Sequence, residues 1–284
     1  KRHIVRTIAA TVSILALSFT AACGSGQSTA SNSTDSDDIT QQTYKPGKLT
    51  IATGQPAYEP WVMNDKPESG EGYEAAVAYA VADKLGFKKS DVVWTRTAFD
   101  TAIAPGAKDW DFNIQQFGIT DERKKAVDFS SSYYNDSQSV VVKKDSKFAN
   151  ATKVSDLKDA TVGVMVGTLA YDYAKANIKD DIQTFNDDAA LAQALDAGQI
   201  DALVTSTVEC VYMVQSEQVK DAKVLGRLPD SEDKSGMGIV LPKDSKLTAA
   251  VTKAVDDLNA DGTIKKLQDK WLAEYTTDLT ELKK

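Results

Sequence analysis

From Lys48 to the C-terminus, short apolar runs of strand length alternate with longer segments in which apolar residues recur every three or four positions. Residues 49–53 and 161–166 are of the first kind, and each is followed by a glycine. Residues 74–85 are of the second kind, with Gly86 placed as a helix stop. Strands that alternate with helices are typical of parallel sheets with helices on both faces. The sequence therefore predicts an α/β fold.

The same patterns predict the other elements of this region. The further strands expected are residues 92–95, 111–115, 139–143, 200–205 and 239–241. The further helices expected are a short one from Thr120 and residues 170–177, 188–196, 207–215, 246–259 and 263–275.

The first 22 residues differ in composition from everything that follows. Lys1, Arg2 and Arg6 form a basic start, and residues 8–22 are an apolar run. This run is shorter than the roughly 20 residues that span a bilayer as a helix. A basic start before a short apolar run is typical of a secretory signal peptide, so we expect residues 1–22 to be removed.

Cys23 occupies the expected cleavage point. Residues 20–23, Thr-Ala-Ala-Cys, resemble a bacterial lipobox in which threonine replaces the usual leucine. This predicts a lipid anchor on Cys23; the alternative is ordinary cleavage beside an incidental cysteine. Residues 24–45 are rich in Ser, Thr, Asp and Gln and bury too little apolar surface to fold. We predict that residues 23–47 form a disordered tether with a span of roughly 25 Å.

Composition excludes several functions. His3 is the only histidine, so the chain beyond residue 22 can build neither a Ser-His-Asp nor a Cys-His arrangement. Cys210 is the one thiol besides Cys23, so no metal site is expected. No phosphate-binding glycine motif is present, and no cofactor is predicted. The net charge of −8, which becomes −11 without the three N-terminal basic residues, argues against a nucleic-acid partner. A mechanism that uses only carboxylates stays open.

An aromatic loop follows the first strand directly. Tyr58, Pro60 and Trp61 lie where ligands of open α/β sheets bind, in the crevice beyond the carboxyl ends of strands. Aromatic side chains there form a wall for a small ligand. The alternative is a proline-containing loop whose aromatic residues pack into the core.

Residues 118–130 form the most distinctive stretch. Thr120 is a candidate N-cap, which would leave the positive end of a helix free for an anion. Arg123 could add a bidentate contact with a carboxylate. The alternative is a surface arginine paired with Asp121 or Asp128.

Four stretches together resemble one known family, the amino-acid-binding proteins of bacterial ABC importers, which are family 3 of the solute-binding proteins and have the type II periplasmic-binding fold. The resemblance covers residues 48–275. The stretches are Ile-Thr-Asp-Glu-Arg-Lys-Lys-Ala-Val-Asp-Phe-Ser at 119–130 followed by Tyr133 and Tyr134, Gly-Val-Met-Val-Gly-Thr at 163–168, Gly-Gln-Ile-Asp-Ala at 198–202, and Asp-Gly-Thr at 261–263.

The resemblance implies two α/β lobes with a ligand cleft between them. The first lobe would comprise residues 48–140 and 238–284, and the second residues 141–237. The chain would cross between the lobes twice, near residues 140–143 and 238–240, which would form the hinge.

The resemblance also assigns site residues. Arg123 matches the arginine that holds the α-carboxylate of the ligand, and Gln116 and Gly118 match positions that line the same site. Thr168 and Leu169 match the loop of the second lobe whose N–H groups reach the carboxylate. The aromatic wall is matched by Tyr58 and Trp61.

One position departs from the family pattern. The aspartate that usually receives the ammonium of the ligand is replaced by Ser206, which offers no charge. Residues 206–209, Ser-Thr-Val-Glu, also fit a helix capping box. The acid for the ammonium is then expected to be Glu59, beside Tyr58, and Glu209 is a weaker candidate. The alternative for Glu59 is a solvated loop carboxylate.

The function that the resemblance implies is capture of a small polar solute, an amino acid, by lobe closure on the outer face of a bacterial membrane. The chain would be a monomer anchored through Cys23, and it would deliver its ligand to a permease with its ATPase. Two rival functions stay open: a secreted sensor or adhesion module, and a carboxylate-dependent dehydratase on the same fold.

Overall fold

The computed structural model describes residues 38–276 and 279–284. The predicted signal peptide, Cys23 and most of the predicted tether lie outside the described residues. Within them the strands are β1 (Leu49–Thr53), β2 (Val92–Arg96), β3 (Phe112–Asn113), β4 (Val127–Tyr134), β5 (Gln138–Lys143), β6 (Val162–Met165), β7 (Gln183–Phe185), β8 (Ala202–Ser206), β9 (Ala222–Arg227) and β10 (Met237–Pro242). The α-helices are α1 (Tyr73–Lys84), α2 (Phe99–Ile103), α3 (Leu169–Asn177), α4 (Asp188–Asp196), α5 (Thr207–Gln215), α6 (Thr248–Ala260) and α7 (Thr263–Trp271).

The strands form two five-stranded sheets, each of which carries helices. The first sheet has the order β2-β1-β3-β10-β4, and the second has the order β7-β6-β8-β5-β9. The α/β class predicted from the sequence is therefore confirmed, and the two sheets give the chain two lobes. No helix among the described residues is both long and apolar enough to cross a bilayer.

The sheets are mixed rather than purely parallel, which corrects the expectation from alternation alone. In the first sheet β1 runs parallel to β2 and β3, whereas β10 is antiparallel to β3 and β4. In the second sheet β6 runs parallel to β7 and β8, whereas β5 is antiparallel to β8 and β9. The two exceptional strands, β5 and β10, are those that arrive directly from the other sheet. A parallel neighbour needs a helical crossover within its own sheet, which these strands lack.

The crossings lie earlier in the chain than the sequence predicts. All of β5 pairs within the second sheet and all of β10 within the first, so the predicted hinge segments 140–143 and 238–240 lie within strands. The links between the sheets are residues 135–137 and 228–236. Strand ends, where ladder hydrogen bonds stop, are the natural place for a hinge.

The last residues do not stay with the first lobe, which corrects the predicted extent of that lobe to residue 284. Glu281 forms a bridge with Arg227 at the end of β9, and Lys283 forms one with Lys153. Leu282 is buried in the core of the second sheet. The tail therefore pairs with the edge strand β9 and buries Leu282 in an apolar core. The polar composition of this segment does not predict either contact.

The predicted tether is too long at its C-terminal end. A short 3-10 helix, Ile39–Gln41, packs through Ile39 on the core of the first sheet. The Tyr44 amide donates to Asp111 Oδ1 at 2.6 Å, and Thr43 is buried. These contacts, one apolar and one a hydrogen bond, hold residues 38–47 against the first lobe, although the composition of this segment is polar.

Candidate ligand-binding site

A cavity lies between the two sheets, at the carboxyl ends of their central parallel strands. Thr53 at the end of β1 borders it from the first sheet, and Met165 and Thr205, at the ends of β6 and β8, border it from the second. Its volume is about 90 Å³, on a measure by which one water needs roughly 10–15 Å³. This is the position at which open α/β folds bind small molecules.

Arg123 reaches this cavity from the first lobe. Its Nη1 donates to Gly118 O at 2.7 Å, and its Nη2 donates to Gly167 O of the second lobe at 2.8 Å. The guanidinium lies over the Phe99 ring, 5.4 Å from its centroid. Burial lowers the pKa of Arg123, although the charges of Asp172 and Asp233 act against this effect. The guanidinium keeps N–H donors beyond the two carbonyl contacts, so it can accept a carboxylate.

Asp121 and Asp128, the two acids that the sequence suggested as surface partners of Arg123, pair with lysines instead. Asp121 lies 3.5 Å from Lys124 Nζ, and Asp128 lies 3.1 Å from Lys243 Nζ. The predicted helix after Thr120 is only a 3-10 turn, Arg123–Lys125, which is too short to provide a positive helix end. Thr120 Oγ1 instead accepts from the Arg123 amide at 3.1 Å and so fixes the backbone that carries the guanidinium.

The second lobe brings a helix N-terminus to the same end of the cavity. Thr168 is the N-cap of α3; its Oγ1 accepts from the Tyr171 amide at 3.2 Å and donates to Met165 O at 2.8 Å. Thr168, Leu169 and Ala170 line the cavity. The first N–H groups of a helix and its dipole favour an anion. Arg123 and the start of α3 therefore form an anion-binding end shared by both lobes.

Gln116 is held in an unusual conformation by an acid that the sequence did not single out. Its φ is 51°, in the left-handed region, and it lines the cavity. The fully buried Glu74 accepts from the Gln116 amide at 2.7 Å, from the Gln116 side chain and from the Tyr133 hydroxyl. Burial raises the pKa of Glu74 to about 7, against the effect of these hydrogen bonds. Glu74 is thus a positioning residue for the cavity wall.

The aromatic loop both packs into the core and lines the cavity, which are the two alternatives that its sequence suggested. Trp61 is almost fully buried against Tyr73 and Tyr134, with ring centroids at 6.0 and 5.6 Å, and it also lines the cavity. Tyr58 lines the cavity too, and its hydroxyl accepts from the Ala189 amide of the second lobe at 3.3 Å.

Glu59 does not face the cavity, which corrects the expectation that it receives the ligand ammonium. Its Oε1 accepts from the Asn64 amide at 2.9 Å, and its Oε2 accepts from the Tyr212 hydroxyl at 3.1 Å. The neighbouring side chains of Tyr58 and Glu59 point in different directions. Tyr58 faces the cavity, and Glu59 faces Tyr212 at the edge of the cleft. Glu59 is a contact between the lobes, outside the lining of the cavity.

Ser206 lies on the cavity wall as the N-cap of α5, and its Oγ accepts from the Glu209 amide at 3.3 Å. This is the first half of the predicted capping box. The Glu209 carboxylate turns into the cavity wall, where its Oε1 is buried and has no hydrogen-bond partner among the described residues. Of the two acids that the sequence suggested for the ammonium, Glu209 therefore faces the cavity and Glu59 does not.

Three further carboxylates line the cavity that sequence patterns did not reveal: Asp136, Asp188 and Asp233. Asp136 lies in the first link between the sheets and Asp233 in the second, while Asp188 begins α4. No group of three potential ligands among the described residues could hold a metal ion. A cavity with one guanidinium and four carboxylates is built for an organic solute that carries charge.

A two-lobe α/β fold with a charged cleft between its sheets is the architecture of solute-binding proteins. Residues 49–274 match the family model of bacterial extracellular solute-binding proteins, family 3. The chain is 29% identical to an L-arginine-binding protein of Pseudomonas aeruginosa over 81% of its own length and 88% of that protein. It is 30% identical to an L-cystine-binding protein of Escherichia coli, with coverage of 78% and 81%.

Among solved structures, an ancestral arginine-binding protein bound to arginine superposes with a TM-score of 0.67 at 31% identity, covering 79% of this chain and 98% of that one. The chain belongs to family 3 of the bacterial extracellular solute-binding proteins. The resemblance found in the sequence motifs and the two-lobe fold it implied are both confirmed, and the chain is a protein that captures a solute.

Proposed function

We propose that this protein captures an amino acid by closing its two lobes around it, and that it delivers the ligand to an ABC importer without changing it. The observation that carries this proposal is the anion-binding end of the cleft, where Arg123 and the start of α3 come together from different lobes. Relatives that bind arginine or cystine support an α-amino acid as the ligand, since both carry an α-carboxylate.

Closure is supported by three contacts that join the lobes. They are Arg123 with Gly167 O, the Tyr58 hydroxyl with the Ala189 amide, and Glu59 with the Tyr212 hydroxyl. A ligand shifts a two-state equilibrium only by its difference in affinity for the two states. A carboxylate bound by groups of both lobes has that difference, because in the open form the donors of the two lobes cannot contact it together.

The direct test is calorimetry with ligand-free protein and a panel of the standard amino acids and cystine. Binding of at least one amino acid, recovered unchanged after incubation, supports capture. Turnover of the ligand would instead favour the dehydratase rival. A melting temperature that no amino acid raises would favour a sensor or adhesion module, because a ligand that binds the native state stabilises it.

Gly118→Ala tests closure itself. A Cβ at Gly118 would lie 2.5 Å from Leu169 Cδ1 of the second lobe and 2.8 Å from Asp233 Oδ2. The ends of both side chains must shift to admit the methyl group, at a cost of about 1 kcal/mol, which corresponds to a loss of affinity of roughly fivefold. We expect weaker binding by calorimetry with little change in the melting temperature of the ligand-free protein, since the clash with Leu169 arises on closure. Unchanged affinity would contradict closure at this contact.

The membrane anchor is a separate proposal that rests on residues 20–23. Cys23→Ser removes the thiol that a lipid would modify, so we expect the variant to move from the membrane fraction into the medium. Immunoblots of the two fractions measure this. Retention of Cys23→Ser in the membrane fraction would contradict anchoring through Cys23.

A further inference from the structure

The charges that line the cavity are unbalanced. Among residues 38–276 and 279–284, Arg123 is the one cationic side chain in the lining, whereas four carboxylates face it. A zwitterion with a neutral side chain brings one carboxylate and one ammonium, which leaves this imbalance unchanged. Buried charges without partners are strongly unfavourable, so the surplus acids need either protein partners or a ligand with a surplus of positive charge.

Two of the acids have fixed partners within the protein. Asp233 Oδ1 accepts from the amides of Ser235 and Gly236 at 3.2 and 3.0 Å, while its buried Oδ2 has no hydrogen-bond partner among the described residues. Burial raises the pKa of Asp233, and these amides and the charge of Arg123 act against that effect. Asp136 accepts from the Ser137 amide at 2.7 Å and lies at the N-terminus of α5, where the Val208 amide is 3.4 Å away. These acids hold the two links between the sheets in place.

The other two acids accept from neutral side chains instead of backbone amides. Glu209 is only 3% exposed; its carboxylate accepts a hydrogen bond from the Trp61 side chain, but its Oε1 has no hydrogen-bond partner among the described residues. Asp188 has one long side-chain contact, from the Thr205 hydroxyl at 3.4 Å. A buried carboxylate oxygen without a donor costs free energy that a cation in the cavity would recover. Glu209 and Asp188 flank the end of β8 and repel each other, since the charge of Asp188 raises the pKa of Glu209.

We propose that the ligand is a basic α-amino acid, with Glu209 receiving its α-ammonium in place of the acid missing at Ser206 and Asp188 receiving its side-chain cation. This rests on the proposed capture of an amino acid. One guanidinium opposite two acids that have only neutral side-chain donors, Trp61 for Glu209 and Thr205 for Asp188, matches a ligand with one carboxylate and two cations. Cystine, which has two carboxylates, matches that arrangement less well because the lining offers a single cationic side chain.

The division of roles follows from position. Glu209 lies three residues after Ser206, the place that the family pattern gives to the ammonium receptor, and its amide is bonded to the Ser206 hydroxyl. Asp188 belongs to α4, beside Ala189, whose amide holds the Tyr58 hydroxyl. Asp188 therefore borders the aromatic wall, where a side chain of the ligand would extend.

Protons compete with the ligand cation for these acids. Burial raises the pKa of Asp188 to about 6 and that of Glu209 well above its usual range. Among the described residues, the charged and titratable groups that face the pair are Asp187, Asp136, the hydroxyls of Tyr58 and Tyr212, and the Cys210 thiol. A cation favours the ionised acids, so binding should release protons, and affinity should fall as the pH is lowered from 7.5 to 5.5.

The experiment is calorimetry of ligand-free protein with L-arginine and with L-citrulline, its neutral isostere, and with L-lysine, L-glutamine and L-cystine. We expect L-arginine or L-lysine to bind at least about 100-fold more tightly than the neutral ligands, since an unpaired buried charge costs several kcal/mol. In buffers of different ionisation enthalpy, proton release should accompany the binding of the basic ligand.

Three variants separate the roles. Asp188→Asn should reduce the preference for L-arginine over L-citrulline by at least about tenfold, while Glu209→Gln should weaken both ligands by at least about 30-fold. Asp257→Asn, at an acid of α6 that pairs with Lys253 and lies outside the cavity lining, is the matched control and should change affinity less than about threefold. Melting temperatures of the ligand-free variants check their folding.

The outcomes distinguish this inference from the proposed function. If L-citrulline or L-glutamine binds as tightly as L-arginine, the basic ligand class is wrong and capture of an amino acid stands. If L-cystine binds more tightly than every basic amino acid, the charge match is wrong in the same way. If no amino acid binds, the proposed function itself falls.

Discussion

Replacing Arg123 with alanine is expected to weaken amino-acid binding by at least about 30-fold. Within the part of the chain that the structure describes, the guanidinium is the only cationic side chain that lines the cavity, and it lies where both lobes meet. Removing one partner of a buried charge pair costs about 2–5 kcal/mol, and each 1.4 kcal/mol is a factor of ten in affinity. The backbone N–H groups at the start of α3 would remain, so weak binding should persist. Calorimetry with the tightest ligand of the wild-type protein measures the loss.

The melting temperature of the ligand-free Arg123→Ala variant should change little, because the guanidinium lies in the cleft rather than in either hydrophobic core. Lys124→Ala is the matched control: the neighbouring Lys124 is exposed and lies 3.5 Å from Asp121, so its loss should leave affinity unchanged. Equal affinities for Arg123→Ala and the wild-type protein would contradict a carboxylate contact at Arg123.

The sequence predicts well those parts of the molecule whose structure depends on residues close together in the chain. Alternating strand and helix patterns predicted most elements, since apolar periodicity reports directly on burial. The rule that ligands bind beyond strand ends, together with the family motifs, placed Tyr58, Gln116, Arg123 and Thr168 around one cavity. These positions depend on short stretches of chain next to strands, where local sequence and tertiary position are closely linked.

The parts that could not be predicted depend on contacts between distant segments. Glu59 and Glu209 are both acids near the ligand region in sequence, and only the packing of the lobes shows which one faces the cavity. Leu282 is a single apolar residue in a polar tail, yet it joins the second core. Glu74 looks like an ordinary acid in the first turn of a helix, where a solvated carboxylate is common. Its burial becomes visible only when residues 116 and 133 are brought beside it.

Glu74 has a consequence for stability that can be measured. Burial raises the pKa of Glu74 from an ordinary 4.5 to about 7 in the folded protein. Below pH 4.5 the group is protonated in both states, so folding is not penalised. As the pH rises from 4.5 to 7, the unfolded chain gives up its proton while the folded protein retains it or bears a buried charge. The stability contributed by protonated Glu74 is therefore lost as the pH rises through this window.

The size of this effect is up to about 3 kcal/mol, at 1.36 kcal/mol for each unit of pKa difference. Other acids titrate in the same range, so the informative comparison is between the wild-type protein and Glu74→Gln, which keeps the shape of the side chain and cannot ionise. Urea unfolding of the ligand-free proteins at pH 5.0, 5.5, 6.0 and 6.5 gives the free energy of unfolding of each. We expect the wild-type curve to fall more steeply than the variant curve by about 1 kcal/mol per pH unit, close to the 2.303RT that one proton contributes. Parallel curves would show that Glu74 titrates with the same pKa in the folded and unfolded states, and its burial against Gln116 and Tyr133 would then not govern its charge.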